Sequence, residues 1–215
     1  MHIPFEQAMG LGPGERGQGE IQQRGMGAYT LCGPCNNRTG KWYGAAFADW
    51  CHQGMDILAR ADNRPTLIYP HRIFKQLVAM FLSINREALR ERTVLTGFVL
   101  GKEKRHLPPR YRFFVYYNIE GRPRMTPLAG TVDFTTGQKR LFSEITFPPF
   151  GYILSIDSPP PDYRQQEITH FARYDYNERR DMPMRLPVLP THVGVMGDYR
   201  DKDQILREAR ESGEI

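Results

Sequence analysis

Between residues 40 and 60, Trp42, Tyr43, Ala46, Phe47, Trp50, Ile57 and Leu58 recur at spacings of three and four, which predicts a helix over about 36–61 with one buried stripe. Asp62, Asn63 and Pro65 end it. A second helix is predicted after Pro70, with Ile73, Leu77, Met80, Phe81 and Ile84 inward and Arg72, Lys75 and Arg86 among its polar residues. The pattern then changes. Segments 94–100, 111–119, 128–134, 141–147 and 152–155 are rich in β-branched and aromatic residues and read as strands, punctuated by Gly121, Gly137 and the stretch from Pro148 to Gly151. Segments 131–134 and 141–147 read as a hairpin, and the short gaps favour an antiparallel meander. After Pro159, Pro160 and Pro161, residues 168–176 read as a further strand, 182–190 as extended chain and 201–210 as a short polar helix. Residues 1–30 hold 7 glycines and few large apolar side chains, which predicts loop.

These elements make an α+β fold: two helices, then an antiparallel sheet. The chain of 215 residues, 40% hydrophobic and 25% charged, is long enough to bury a core. It contains no apolar run of membrane-spanning length and no secretory signal at its start, so a cytoplasmic protein with no membrane partner is expected. Three cysteines, two of them close together, do not make a disulfide framework and point to metal or to ordinary thiols.

The cysteines define the first candidate site. Cys32-Gly33-Pro34-Cys35 stands immediately before the first helix, where two thiolates can supply half of a tetrahedral zinc site. Cys51 lies sixteen residues beyond Cys35 in the same predicted helix, roughly 24 Å away at the helical rise. Neither it nor His52 closes such a site, and Cys51 reads as a buried apolar thiol.

His2-Ile3-Pro4, a glycine-rich spacer, and then Cys32, Cys35, Asn36 and Gly40 opening a helix resemble the HNH, or His-Me finger, endonucleases over residues 2–60. The resemblance implies an N-terminal treble-clef (ββα-metal) remnant and metal-dependent hydrolysis of DNA. It gives His2 the role of general base on the attacking water, which suits an imidazole titrating near neutrality. It also makes Asn36 a ligand of a catalytic Mg²⁺ or Mn²⁺, and Cys32 with Cys35 half of a structural zinc site. Arg38 and Lys41 then lie where phosphates would meet the helix start. The chain departs from the family in three ways. Met1 stands where an acidic residue is usual, residues 5–31 hold no asparagine, and the first C-x-x-C is missing. A reading frame begun too late would explain the first and third.

Plainer readings accompany each feature. Asn36 could cap the helix. Trp42, Tyr43, Phe47 and Trp50 have core spacing rather than that of a stacking platform. Residues 86–124 hold 10 Lys and Arg against 4 Glu, interleaved with Tyr111, Phe113, Tyr116 and Tyr117. That mix fits a nucleic-acid groove, with Lys102, Lys104, Arg105, Arg110 and Arg112 as contacts, or the solvated face of a sheet. The sequence thus divides into an HNH-like region over 1–62 and a helix-plus-sheet region over 63–215. The rivals to an active nuclease are a non-catalytic zinc-knuckle module that binds nucleic acid or protein, and a degenerate, inactive remnant of the nuclease.

Overall fold

The structure is a computed structural model and describes residues 32–60, 65–89, 93–132, 137, 139–183 and 185–213. His2 and the glycine-rich segment lie outside the described residues. Helices and antiparallel strands mix as an α+β fold.

Helix α1 (Gly33–Thr39) passes through a π-helical turn (Gly40–Gly44) into α2 (Ala45–Arg60), so the chain is helical without a break from Gly33 to Arg60. Strand β1 (Pro65–Ile68) leads to α3 (Pro70–Ile84), whose proline sits in its first turn, where a missing N–H costs nothing. A single turn, α4 (Arg86–Leu89), precedes α5 (Thr93–Leu100). Then come β2 (Tyr111–Tyr117), β3 (Arg124–Val132), β4 (Lys139–Phe147), β5 (Phe150–Ile156) and β6 (Gln166–Glu167). A 3₁₀ turn (Thr169–Arg173), β7 (Arg180–Pro183) and α6 (Lys202–Glu211) complete the order.

Three expectations are corrected. Segment 94–100 is the helix α5, not a strand: Leu95, Phe98 and Val99 stand three and four apart, and all are buried on one helical face. A short apolar run fits either period, and packing against α3 decides it. Segment 168–176 is mainly the 3₁₀ turn, which buries Phe171 and Ala172. The sheet is not a simple meander. β3, β4 and β5 are sequential neighbours, but β2 returns beside β5, giving the order β3-β4-β5-β2-β6, all antiparallel. The expected hairpin is present as β3 and β4, with Thr131 opposite Arg140.

Alternation along β2 and β5 sorts their side chains. Tyr111, Phe113, Val115 and Tyr117, with Phe150, Tyr152, Leu154 and Ile156, face the helices and form the main core. Trp50 stacks on Phe150 with centroids 4.8 Å apart and donates its indole N–H to the Tyr152 hydroxyl at 2.9 Å. At Gly54 a Cβ would stand 2.4 Å from the Phe150 ring, so α2 can lie this close to β5 only with glycine there. The 33–60 helix therefore shares its core with the sheet. Phe114, Tyr116, Phe142 and Ile153 point to the opposite face, which Leu189, Met196 and Tyr199 of the later chain cover.

That second face carries a buried polar network. Glu144 is fully buried, and its Oε1 accepts from Tyr116 Oη (2.7 Å), Tyr199 Oη (2.9 Å) and Arg124 Nη2 (2.9 Å). Arg124 Nη1 donates to the carbonyls of Val193, Val195 and Asp198, tying the later chain to the sheet. Burial and the Glu144 charge hold the Tyr116 hydroxyl well above its ordinary pKa.

Candidate nucleic-acid interface and cysteine knuckle

The cysteine knuckle stands at the open end of α1. Cys32 occupies the N-cap, and its Sγ accepts the Cys35 amide N–H at 3.3 Å. The hydrogen bonding from Cys35 lowers the Cys32 thiol pKa, while the bond between the two side chains raises that of Cys35. Cys32 is exposed and Cys35 half-buried. Because Cys32 caps the helix, Asn36 does not. Asn36 is exposed and its side-chain amide makes no hydrogen bond among the described residues. Metal binding and capping therefore do not compete for it.

Two sulfur donors at this spacing fit half of a tetrahedral zinc site. Among the described residues no group of three or more His, Cys, Asp or Glu is placed to hold a metal ion. Cys51 stays in the continuous helix, where burial pushes its thiol up to about 11. Lys41 is exposed on the helix, and the Arg38 guanidinium lies 5.7 Å from the Trp42 ring centroid.

The basic stretch behaves as two populations. The aromatics Tyr111, Phe113, Tyr116 and Tyr117 are all buried, so none offers a base a face to stack on. Tyr43 and Trp50 are core as well. The cations, by contrast, reach the surface of the loop between α5 and β2. Lys104, Arg105 and Arg110 are exposed, Lys102 and Arg112 half-buried. Arg105 pairs with Asp175 (2.8 Å), Arg110 with Asp157 (2.5 Å) and Arg112 with Glu167 (2.7 Å). Lys102 Nζ lies 4.0 Å above the Tyr176 ring. The Glu167 bond and charge push the Arg112 guanidinium up. Burial favours a neutral Glu167, but hydrogen bonds from Arg112 and Thr169 win and hold the carboxyl below its usual range.

The loop, β2 and the 3₁₀ turn enclose a cavity of about 670 Å³ lined by Arg105, His106, Arg112, Glu167, His170 and Arg173, among others. Arg173 has no carboxylate partner among the described residues. A second cavity of about 570 Å³ opens on the other side of the Arg112–Glu167 pair, against Phe114, Arg140 and the turn from Pro159 to Gln165. Both cavities are lined by Arg112 and Glu167, so they flank one edge of the sheet at β6. Sequence reasoning missed His106; residues 170–180, with His170 and Arg173, have in the sequence the polar and aromatic mix of a binding strand, but their place beside Arg112 depends on the pairing of β6 with β2.

Tyr176 connects the two candidate sites. Its hydroxyl donates to the Trp42 carbonyl at 2.9 Å, while its ring carries Lys102 on one contact and the Arg72 guanidinium, 4.1 Å away, on another. Trp42 is ten residues from Cys32 along the helix, roughly 15 Å at the helical rise.

No protein-family model, curated protein or solved structure matches this chain. Among the described residues no helix is long and apolar enough to cross a membrane.

Proposed function

We infer that the protein is a cytoplasmic HNH-like nuclease that hydrolyses DNA phosphodiesters, with a zinc knuckle at the start of α1 and a cationic groove beside β6 to hold the strand. The observation that supports it most is the exposed Cys32–Cys35 turn, opening a long helix that Tyr176 ties to the basic loop. In this reading His2 removes the proton from the attacking water, and the free Asn36 amide contributes to the divalent-ion site. A bound Mg²⁺ or Mn²⁺ would supply stabilisation of charge on the scissile phosphate and leaving oxygen. Arg38 and Lys41 meet phosphates near the scissile bond, and Lys104, Arg105, Arg110 and Arg112 meet those further along.

The test is plasmid cleavage by the full chain with Mg²⁺ or Mn²⁺, beside His2→Ala. Nicking that His2→Ala abolishes is the expected result, and cleavage that survives the substitution removes His2 as the base. Zinc content is a separate measurement: the half site of Cys32 and Cys35 is expected to hold less than one zinc per chain, lost in Cys35→Ser, and a full equivalent would show that further ligands complete it.

A binding-only zinc-knuckle module is the second reading, favoured by the arginines and histidines that line the cavities beside β6 and that hold a backbone without any catalytic element. Salt-sensitive DNA binding without cleavage selects it.

A further inference from the structure

The second cavity contains a group that the nuclease reading does not use. Gln165 is 5% exposed, lines the cavity, and has no hydrogen-bond partner for either Nε2 or Oε1. The backbone around it is well fixed. Gln165 N donates to the Asp162 carbonyl, and Asp162 is held by Arg164 through both its oxygens. The amide is thus left unsatisfied inside an ordered turn, and turning it toward the cavity breaks no bond that it makes.

We propose that this cavity is a nucleobase subsite, taking one unstacked base of a single strand whose hydrogen-bonding edge is read by the Gln165 amide. A carboxamide offers a donor and an acceptor side by side, and the edge of a nucleobase offers the complement in the same plane. The walls suit a flat apolar ring: Phe114 and the run Pro159, Pro160, Pro161 line the cavity. Tyr163 also lines it and is 91% exposed, a large aromatic face with nothing packed over it. Arg112 and Arg140 stand in the same wall, where the strand's phosphates would pass. A volume of about 570 Å³ accommodates a nucleotide. The paired Arg112 and Glu167 line both the subsite and the cationic cavity, so a strand passing over that pair would meet both.

The proposal rests on the reading that the groove holds nucleic acid, and the test separates the two. Fluorescence anisotropy of the full chain is measured with labelled dA, dT and dC 20-mers and with a blunt 20-base-pair duplex. The wild type is expected to rank the three strands differently. Gln165→Leu, close in volume and apolar, removes that ranking and weakens the preferred strand about tenfold, with duplex binding unchanged. Tyr163→Ala changes an exposed residue and leaves the fold intact, and it weakens all three strands by about tenfold. Free AMP is expected to displace the strand only at far higher concentration, since it lacks the neighbouring phosphates. Equal potency of AMP would overturn the assignment to a strand. Unchanged affinities and ranking in both variants would overturn the subsite while leaving nucleic-acid binding intact. Failure of the wild type to bind any of the four probes would remove the broader reading and the subsite with it.

Discussion

Gly151 shows how one position can fix a network. A Cβ there would lie 2.0 Å from Tyr116 Cζ, so the tyrosine that donates to Glu144 lies flat over a residue that can only be glycine. Gly151→Ala is expected to lower unfolding free energy by about 1–3 kcal/mol through overpacking, measured by urea titration. The Arg124–Glu144 pair gives a larger signal. Arg124→Met strands a buried carboxylate and is expected to cost about 3–5 kcal/mol, while the double change Arg124→Met with Glu144→Leu costs much less. Lys75 is the third case. It is fully buried, and its Nζ donates to the Phe98 and Gly101 carbonyls at the end of α5, both at 2.5 Å. Burial lowers its pKa to about 7 against an ordinary 10.5. Between those values the unfolded chain binds the proton and the folded one does not, so stability rises with pH from about 7 toward 10. Urea titrations at pH 6.5 and 9 are expected to show that rise, and Lys75→Met to flatten it.

Three helical segments were legible, whereas α5 read as a strand and α4 gave no signal. The 33–60 helix and α3 follow directly from apolar residues at helical spacing, and α6 begins where Asp201 and Gln204 form a capping box. Asp201→Ala is expected to cost about 1 kcal/mol, seen as faster amide exchange in the first turn of α6. Four of the strands were legible from their β-branched and aromatic content, but their order was not. The return of β2 beside β5 depends on contacts between residues roughly forty apart, which leave no local pattern. The ribbon of β1 with β7 joins Pro65 to Pro183 and is equally silent in the sequence. At the candidate sites, the C-x-x-C turn was visible as a motif. The unsatisfied amide of Gln165 was not, because an orphaned polar group is defined by its neighbours and not by its own identity.

Taken together, the fold gives the sheet two unlike faces. One packs hydrocarbon and aromatic surface against helices, and the other closes over the Arg124–Glu144 network, with the Arg112–Glu167 pair at the edge beside it. In the nuclease and binding readings alike, affinity for duplex falls steeply with salt, and the slope of log affinity against log salt counts phosphates met. Arg173→Ala is expected to reduce that slope by about one without altering which sequences bind, measured by anisotropy from 50 to 200 mM salt.

The Arg124 clamp has a consequence for the order of synthesis. The sheet strands leave the ribosome before the segment that covers their polar face, because Leu189, Val193, Val195 and Tyr199 all follow β5. Until that segment arrives, Glu144 has its arginine but not Tyr199, and Phe142 and Ile153 lie open. A nascent chain halted near residue 185 would present a sticky half-built sheet, so this protein is expected to engage chaperones in the interval between the emergence of β5 and that of Tyr199.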